Sequence, residues 1–247
     1  MGIPDIVRNR AGAIGRALEN LLLPSSCVLC GRTLQWTTSA QPPLCPECSI
    51  IGESETAARC RVCSRSLISE IDMCTRCRER KFAFDANVSA FAYRGKIKEL
   101  IRLYKFQHCR ELSWFFSRAL AITVGERWSE LPLVPVPPRA SSMRARGFDP
   151  VETISFQIAH ASDQPVTRLL ERHGGKSQKT LDYGQRIVNL SGQISLRDCY
   201  RRNASKVPDS VVLLDDVFTT GATAHECARV LKEAGVTSVF VLTIAMD

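Results

Sequence analysis

Along the C-terminal two thirds of the chain, hydrophobic positions fall alternately at helical spacing and in short unbroken runs. Phe84 to Tyr93 alternates loosely and reads as a strand. In residues 95–107, Ile97, Leu100, Ile101 and Tyr104 share one helical face, with Lys96, Lys98, Arg102 and Lys105 largely off it. A second helix over about 109–128 is apolar enough to be buried. Leu133-Val134-Pro135-Val136-Pro137 reads as the first strand of the main sheet, its prolines marking a sharp end. A helix from about Pro150 to Ala161, a second core strand at 165–170 and a helix over 181–190 follow. Val211-Val212-Leu213-Leu214 is the pattern of a strand buried on both faces of a parallel sheet. The helix after it begins at about Thr223 and stops at Gly235, and the last strand spans 236–244. This order predicts an α/β domain, a parallel sheet with helices on both faces. Upstream, Ile6, Val7, Ala11, Ile14, Leu18, Leu21 and Leu22 predict a short amphipathic helix within 3–23, ended by Pro24.

Composition fits that picture. The 247 residues are 45% hydrophobic and 23% charged, ordinary for a globular chain. No apolar run reaches the 18 or so residues of a membrane span. Arg8, Arg10, Arg16 and Glu19 interrupt any signal-peptide core, so a cytoplasmic location is expected. The net charge of +8 is concentrated in residues 81–150, which hold 12 Lys and Arg against 6 Asp and Glu. A basic surface there would attract polyphosphates or nucleic acid, and the helix at 95–107, with Tyr104 and Phe106 nearby, is the candidate face.

Eight of the 11 cysteines form four Cys-x-x-Cys pairs: Cys27/Cys30, Cys45/Cys48, Cys60/Cys63 and Cys74/Cys77. Two intervening residues let both thiolates of a knuckle reach one ion, and two knuckles complete a tetrahedral site. The pattern predicts two structural zinc sites, paired either sequentially or in a nested way, with no open coordination position for catalysis. Neither ferredoxin-type spacing is present, which makes iron–sulfur ligation the weaker rival. Cys109, Cys199 and Cys227 are isolated and read as small buried hydrophobes.

The chemistry concentrates where Val211–Leu214 ends. Asp215 and Asp216 are followed by Val217-Phe218-Thr219-Thr220-Gly221-Ala222-Thr223, a polar turn that leads into a helix. Free N–H groups at that helix start, with the hydroxyls of Thr219, Thr220 and Thr223, form a phosphate cradle. Carboxylates are acceptors, so Asp215 and Asp216 suit sugar hydroxyls or a Mg2+ ion that bridges to phosphate. A ligand with vicinal hydroxyls and a nearby phosphate is a ribose 5-phosphate. A second anion site is predicted in the loop 138–149, where Arg139, Arg144 and Arg146 surround Gly147 at the end of a parallel strand. Gly175-Lys176-Ser177 is not a P-loop, since the required earlier glycine falls on Leu170. His108, His160, His173 and His225 show no ligand or triad spacing.

The run from Val211 to Thr223 resembles the PRPP-binding loop of type I phosphoribosyltransferases. Together with the cysteine knuckles, Tyr93 to Lys105 and the Arg144-Ala145-Arg146-Gly147-Phe148-Asp149 segment, it is similar to the ComF family from about residue 20 onward. That resemblance implies a double zinc ribbon at 27–80 and a phosphoribosyltransferase-like domain at 81–247, preceded by the amphipathic helix that the spacing places in 1–26. It implies PRPP with Mg2+ as ligand, held by Asp215, Asp216, Thr219, Thr220, Gly221, Ala222 and Thr223. Arg139, Arg144, Arg146 and Gly147 would serve its pyrophosphate side, and a flexible loop with Lys176, Gln178 and Lys179 would close over it. The family's association with natural transformation implies single-stranded DNA and the DNA-uptake helicase machinery as partners. The acceptor of a phosphoribosyl transfer has no sequence signature here. A non-catalytic single-stranded-DNA-binding or assembly factor on the same scaffold is the alternative reading.

Overall fold

The computed structural model describes residues 26–34, 43–50, 58–69, 71–174 and 190–247. The amphipathic helix expected within 3–23, the helix expected at 181–190 up to its last residue, and the loop residues Lys176, Gln178 and Lys179 lie outside them. The chain divides into two units, 1–52 and 53–247.

In the first unit, a knuckle at Cys27–Cys30 is closed by a bridge between Ser26 and Thr33, and Cys45 precedes the short helix α1 (Pro46–Ser49). The Cys27 N–H donates to the Arg32 carbonyl at 2.8 Å, and Gly31 takes a left-handed φ of 72° where the chain reverses.

The second unit opens with the same device. Cys60 N–H donates to the Arg65 carbonyl at 2.8 Å, Arg59 bridges Ser66, and the reversal falls on Ser64 at φ 65°. Serine is uncommon in that conformation. Here its hydroxyl accepts the N–H of Ser89 at 3.1 Å, while Asn87 Nδ2 donates to the Cys63 carbonyl at 3.1 Å. The knuckle is thereby fastened to strand β1 (Ala86–Ala92), after Cys74 and helix α2 (Thr75–Arg78). Cys60, Cys63, Cys74 and Cys77 belong to one buried cluster with Phe84, Phe218, Val241 and Met246.

Helices α3 (Gly95–Phe106) and α4 (Leu112–Arg127) lead to β2 (Leu133–Pro135). Then come α5 (Ala140–Arg146), α6 (Pro150–Ser162), β3 (Leu170–Arg172), β4 (Ile194–Leu196), α7 (Asp198–Arg201), β5 (Ser210–Phe218), α8 (Ala222–Glu233) and β6 (Ser238–Met246). The main sheet runs β1-β6-β5-β2 and every pairing in it is parallel. Its faces separate by strand alternation. Val211, Leu213, Val239 and Val241 pack with Ala224, Cys227, Ala228 and Leu231 of α8. On the other face Trp128, just past α4, stacks on Phe240 at 5.1 Å, and α4 and α6 pack together. The expected α/β sheet with helices on both faces is therefore present. Among the described residues, no helix is long and apolar enough to cross a membrane.

Four expectations need correction. The sheet begins with residues 86–92, which pair with β6, and not with Leu133. The loop 138–149 contains α5, whose end is turned by Gly147 at φ 68°. Residues 165–170 are not a core strand: only Val166 bridges Leu133, and Leu170 starts a separate antiparallel pair, β3 with β4. Pro165 and the polar Thr167 and Arg168 interrupt the apolar run, and Arg168 turns out to Glu152 instead of extending the ladder. Of the isolated cysteines, Cys227 is buried as expected, but Cys199 is exposed and Cys109 half-buried. Cys199 lies on α7 between Asp198 and Arg201, which pair with each other on the outside at 2.6 Å.

Candidate functional site

Parallel strands deliver their C-terminal ends to one edge, and here the central strand β5 lies beside the outer strand β2. The buried run of β5 ends at Leu214, and Asp215 and Asp216 follow at the rim. Residues 219–221 turn sharply into α8. Gly221 takes φ 79°, and a Cβ there would meet Phe218 at 2.7 Å and Phe82 at 2.8 Å, so only glycine fits. Thr220 Oγ1 accepts the Ala222 N–H at 3.4 Å, which ties the turn to the first helical residue.

A cavity of about 350 Å³ opens above this edge. It is lined from β5 by Asp215, Asp216 and Val217, and from the turn and α8 by Thr219 and Thr223. Arg139, Ser142 and Arg146 line it from beyond β2, and Asp149 and Val151 from the start of α6. Tyr93, Lys105 and Arg172 complete it. Of the residues predicted from sequence, the acid pair, two threonines and two arginines thus share one cavity. Thr220, Gly221 and Ala222 shape the turn from behind, and Arg144 and Gly147 are not among the lining residues.

Three of these residues were not expected as site residues. Asp149 caps α6, accepting the N–H groups of Val151 at 2.9 Å and Glu152 at 3.2 Å, and burial raises its pKa. Lys105 was placed on a nucleic-acid face. Its Nζ instead lies 2.5 Å from Asp216 Oδ2, with both side chains about four-fifths buried (16% and 20% exposed). One turn on from the fully buried Ile101, it stands at the border of the apolar face, where the cavity opens. Arg172, on β3, has a buried Nη2 with no hydrogen-bond partner among the described residues. Burial and the neighbouring Arg139 charge both lower its pKa.

The charges are unevenly balanced. Loss of solvent and the adjacent Asp216 charge push the Asp215 carboxyl up to about 7, against the Asp216 N–H, Lys105 and Arg172, which favour its charged form. The Asp216 N–H donates to Asp215 Oδ1 at 2.8 Å. The cavity therefore offers hydroxyl acceptors at Asp215 and Asp216, donors at the turn, and a buried guanidinium nitrogen at Arg172 Nη2.

The cysteines form two separate groups, Cys27 with Cys30, Cys45 and Cys48, and Cys60 with Cys63, Cys74 and Cys77. In each, the sulfurs lie within 4.8 Å of one another, so each could hold a zinc ion, and the pairing is sequential. Burial opposes ionisation of Cys27, yet N–H donors from Cys45, Cys30 and Leu29 bring it down to about 6. Cys60, with donors from Cys74, Cys63 and Val62, comes down to about 7. A thiolate held by knuckle N–H groups is the ligand form a metal requires.

No family model matches the chain. It is 28% identical to the competence protein ComFC of Bacillus subtilis over 153 residues, 60% of this chain and 59% of that one. It is 26% identical to competence protein F of Haemophilus influenzae over 232 residues, 89% of this chain and 96% of that one. The chain is ComF-like. Among solved structures, adenine phosphoribosyltransferase from Rhodothermus marinus matches 57% of the ComF-like chain and 83% of its own. That match is at 19% identity, with a TM-score of 0.35.

Proposed function

We propose that the cavity binds 5-phosphoribosyl 1-pyrophosphate, and that this ComF-like chain is a phosphoribosyltransferase-like protein serving DNA uptake or utilisation. The observation that carries this reading is the joint presence, in one cavity, of the acid pair, the threonine turn and the buried Arg172 Nη2. A sugar diol satisfies Asp215 and Asp216. A 5-phosphate fits the N–H groups and hydroxyls of residues 219–223. A second anionic group answers the Arg172 Nη2, whose burial without a partner is otherwise unfavourable by roughly 1–3 kcal/mol. The ComF names of the relatives support the link to competence, with single-stranded DNA and uptake machinery as the partners.

In this reading the residues act by holding and charge placement. Asp215 and Asp216 fix the ribose, and Arg139, Arg146 and Arg172 stand where pyrophosphate charge would build on departure. Mg2+ bound with the ligand would supply further neutralisation of that leaving group. The paired Asp215, Asp216 and Asp149 suit it only as a partner of the ligand, since Lys105 already occupies Asp216. Two zinc ions, one per cysteine group, would serve folding alone.

Exposed Phe106 and Trp114 favour a second reading, a single-stranded-DNA surface over α3 and α4, with Arg146 stacked on Phe106 at 5.2 Å. Lys96, Lys98 and Arg102 would supply phosphate contacts there, without Lys105.

Calorimetric titration of the zinc-loaded chain with PRPP and Mg2+, beside the Asp215→Asn/Asp216→Asn variant, separates the two. Binding by the wild type alone is expected. A folded wild type that ignores PRPP but binds single-stranded DNA with steep salt dependence would leave the second reading.

A further inference from the structure

We infer that Lys105 is a positioning residue of this site, holding Asp216 so that the acid pair receives a sugar diol. The inference rests on the ribose-phosphate reading above. Lys105 belongs to the last turn of α3, which is fixed by the buried Ile97, Leu100, Ile101 and Tyr104. Tyr104 Oη donates to the Pro150 carbonyl at 2.8 Å, joining that turn to the start of α6 on the cavity wall. The lysine therefore enters the cavity from a rigid element and not from a swinging loop. An ammonium withdrawn from water is stable only against a charge, and Asp216 provides it at 2.5 Å.

The arrangement solves a problem of the acid pair. Adjacent carboxylates repel, and a hydroxyl donor needs a charged acceptor. An ammonium on Asp216 Oδ2 fixes that carboxylate and leaves its other oxygen to accept. Asp215 is faced by Asp216 on its own strand, Lys105 from α3, Arg172 from β3 and the Cys227 thiol from α8. Lys105 and Arg172 favour its charged form, so deleting the amine makes Asp215 harder to ionise. Lys105 thus acts through the two acids that hold the sugar, aiming Asp216 and favouring the charged form of Asp215.

The test uses the full zinc-loaded chain, titrated with ribose 5-phosphate and with inorganic phosphate between pH 6 and 8.5. Inorganic phosphate corrects for ionisation of the phosphate itself. Lys105→Met is expected to weaken ribose 5-phosphate about tenfold at pH 7, with inorganic phosphate within about twofold of wild type. The loss shrinks toward pH 8.5, and Lys105→Arg restores most of the affinity. Melting curves of each variant, and of Lys105→Met/Asp216→Asn, which removes the stranded carboxylate, check folding. Equal weakening of both ligands at every pH, in folded variants, would assign Lys105 a structural role and overturn the inference. A wild type that gains from the ribose while Lys105→Met is indifferent defeats this inference alone. A wild type that gains nothing from the ribose defeats the ribose-phosphate reading with it.

Discussion

His225 Nδ1 accepts the backbone N–H of Ala83 at 3.0 Å, joining the segment before β1 to the first turns of α8. The bond requires an unprotonated Nδ1, and burial lowers the His225 pKa below its usual value. Below about pH 6.5 the unfolded chain therefore takes up the proton more readily than the folded one. This contribution is complete above that pH and is lost as pH falls through the folded pKa. Because the ring is only partly buried, the effect is expected to stay near 1 kcal/mol. Melting temperatures from pH 7.5 to 5 should fall further for wild type than for His225→Asn, which keeps an acceptor near the same place. Parallel curves would exclude His225 as the titrating group.

Arg172 gives a stability test of opposite sign. Its Nη2 lacks a partner and Arg139 repels it, so Arg172→Met should leave the ligand-free chain as stable as wild type or up to about 1 kcal/mol more stable. The same substitution should weaken pyrophosphate binding at least tenfold while sparing inorganic phosphate at the turn. A variant that melts several degrees lower with binding intact would show that Arg172 serves packing.

Gly221→Ala combines a disfavoured φ with a Cβ placed 2.7 Å from Phe218 and 2.8 Å from Phe82. Together these should cost about 2–4 kcal/mol. Denaturant unfolding at constant m-value measures the loss, and a shift under 1 kcal/mol would mean that the aromatic rings yield.

The two cysteine groups should differ on metal removal. Cys60, Cys63, Cys74 and Cys77 share a buried cluster with β5 and β6 residues, whereas Cys30 of the first group is exposed. Cys63→Ser is expected to lower the melting temperature of the unit 53–247 by roughly 6–12 °C, the equivalent of about 3 kcal/mol at this size. Cys30→Ser should leave that transition in place. Calorimetry with one ion lost from each variant would show it, and equal shifts would contradict the assignment.

What the sequence made legible follows from distance along the chain. Strand, acid pair, threonine turn and helix start are contiguous from 211 to 223, so local pattern alone placed them. Arg139 and Arg146 were found because they follow a recognisable strand. Lys105 and Arg172 come from α3 and β3, more than 40 residues from Asp215 in each case, and nothing local marks either as a partner of the acids. Lys105 even looked like part of a solvated basic face, because helical spacing places it at the border where burial depends on the neighbour. The cysteine spacing marked two candidate metal sites but not their pairing. The first knuckle of each group closes its own short bridge, Ser26 with Thr33 and Arg59 with Ser66, and the second leads into a short helix, so the two groups repeat one local design in sequence.

The floor of the threonine turn is aromatic. Phe218 and Phe82 press on Gly221, Phe82 stacks on Phe84 at 4.8 Å, and Phe84 and Phe218 lie in the cluster that contains Cys60 and Cys77. The threonine turn and the second cysteine group are thus two ends of one packed column. A substitution at those four cysteines is therefore expected to reach the threonine turn through Phe84 and Phe218, without touching the cavity itself.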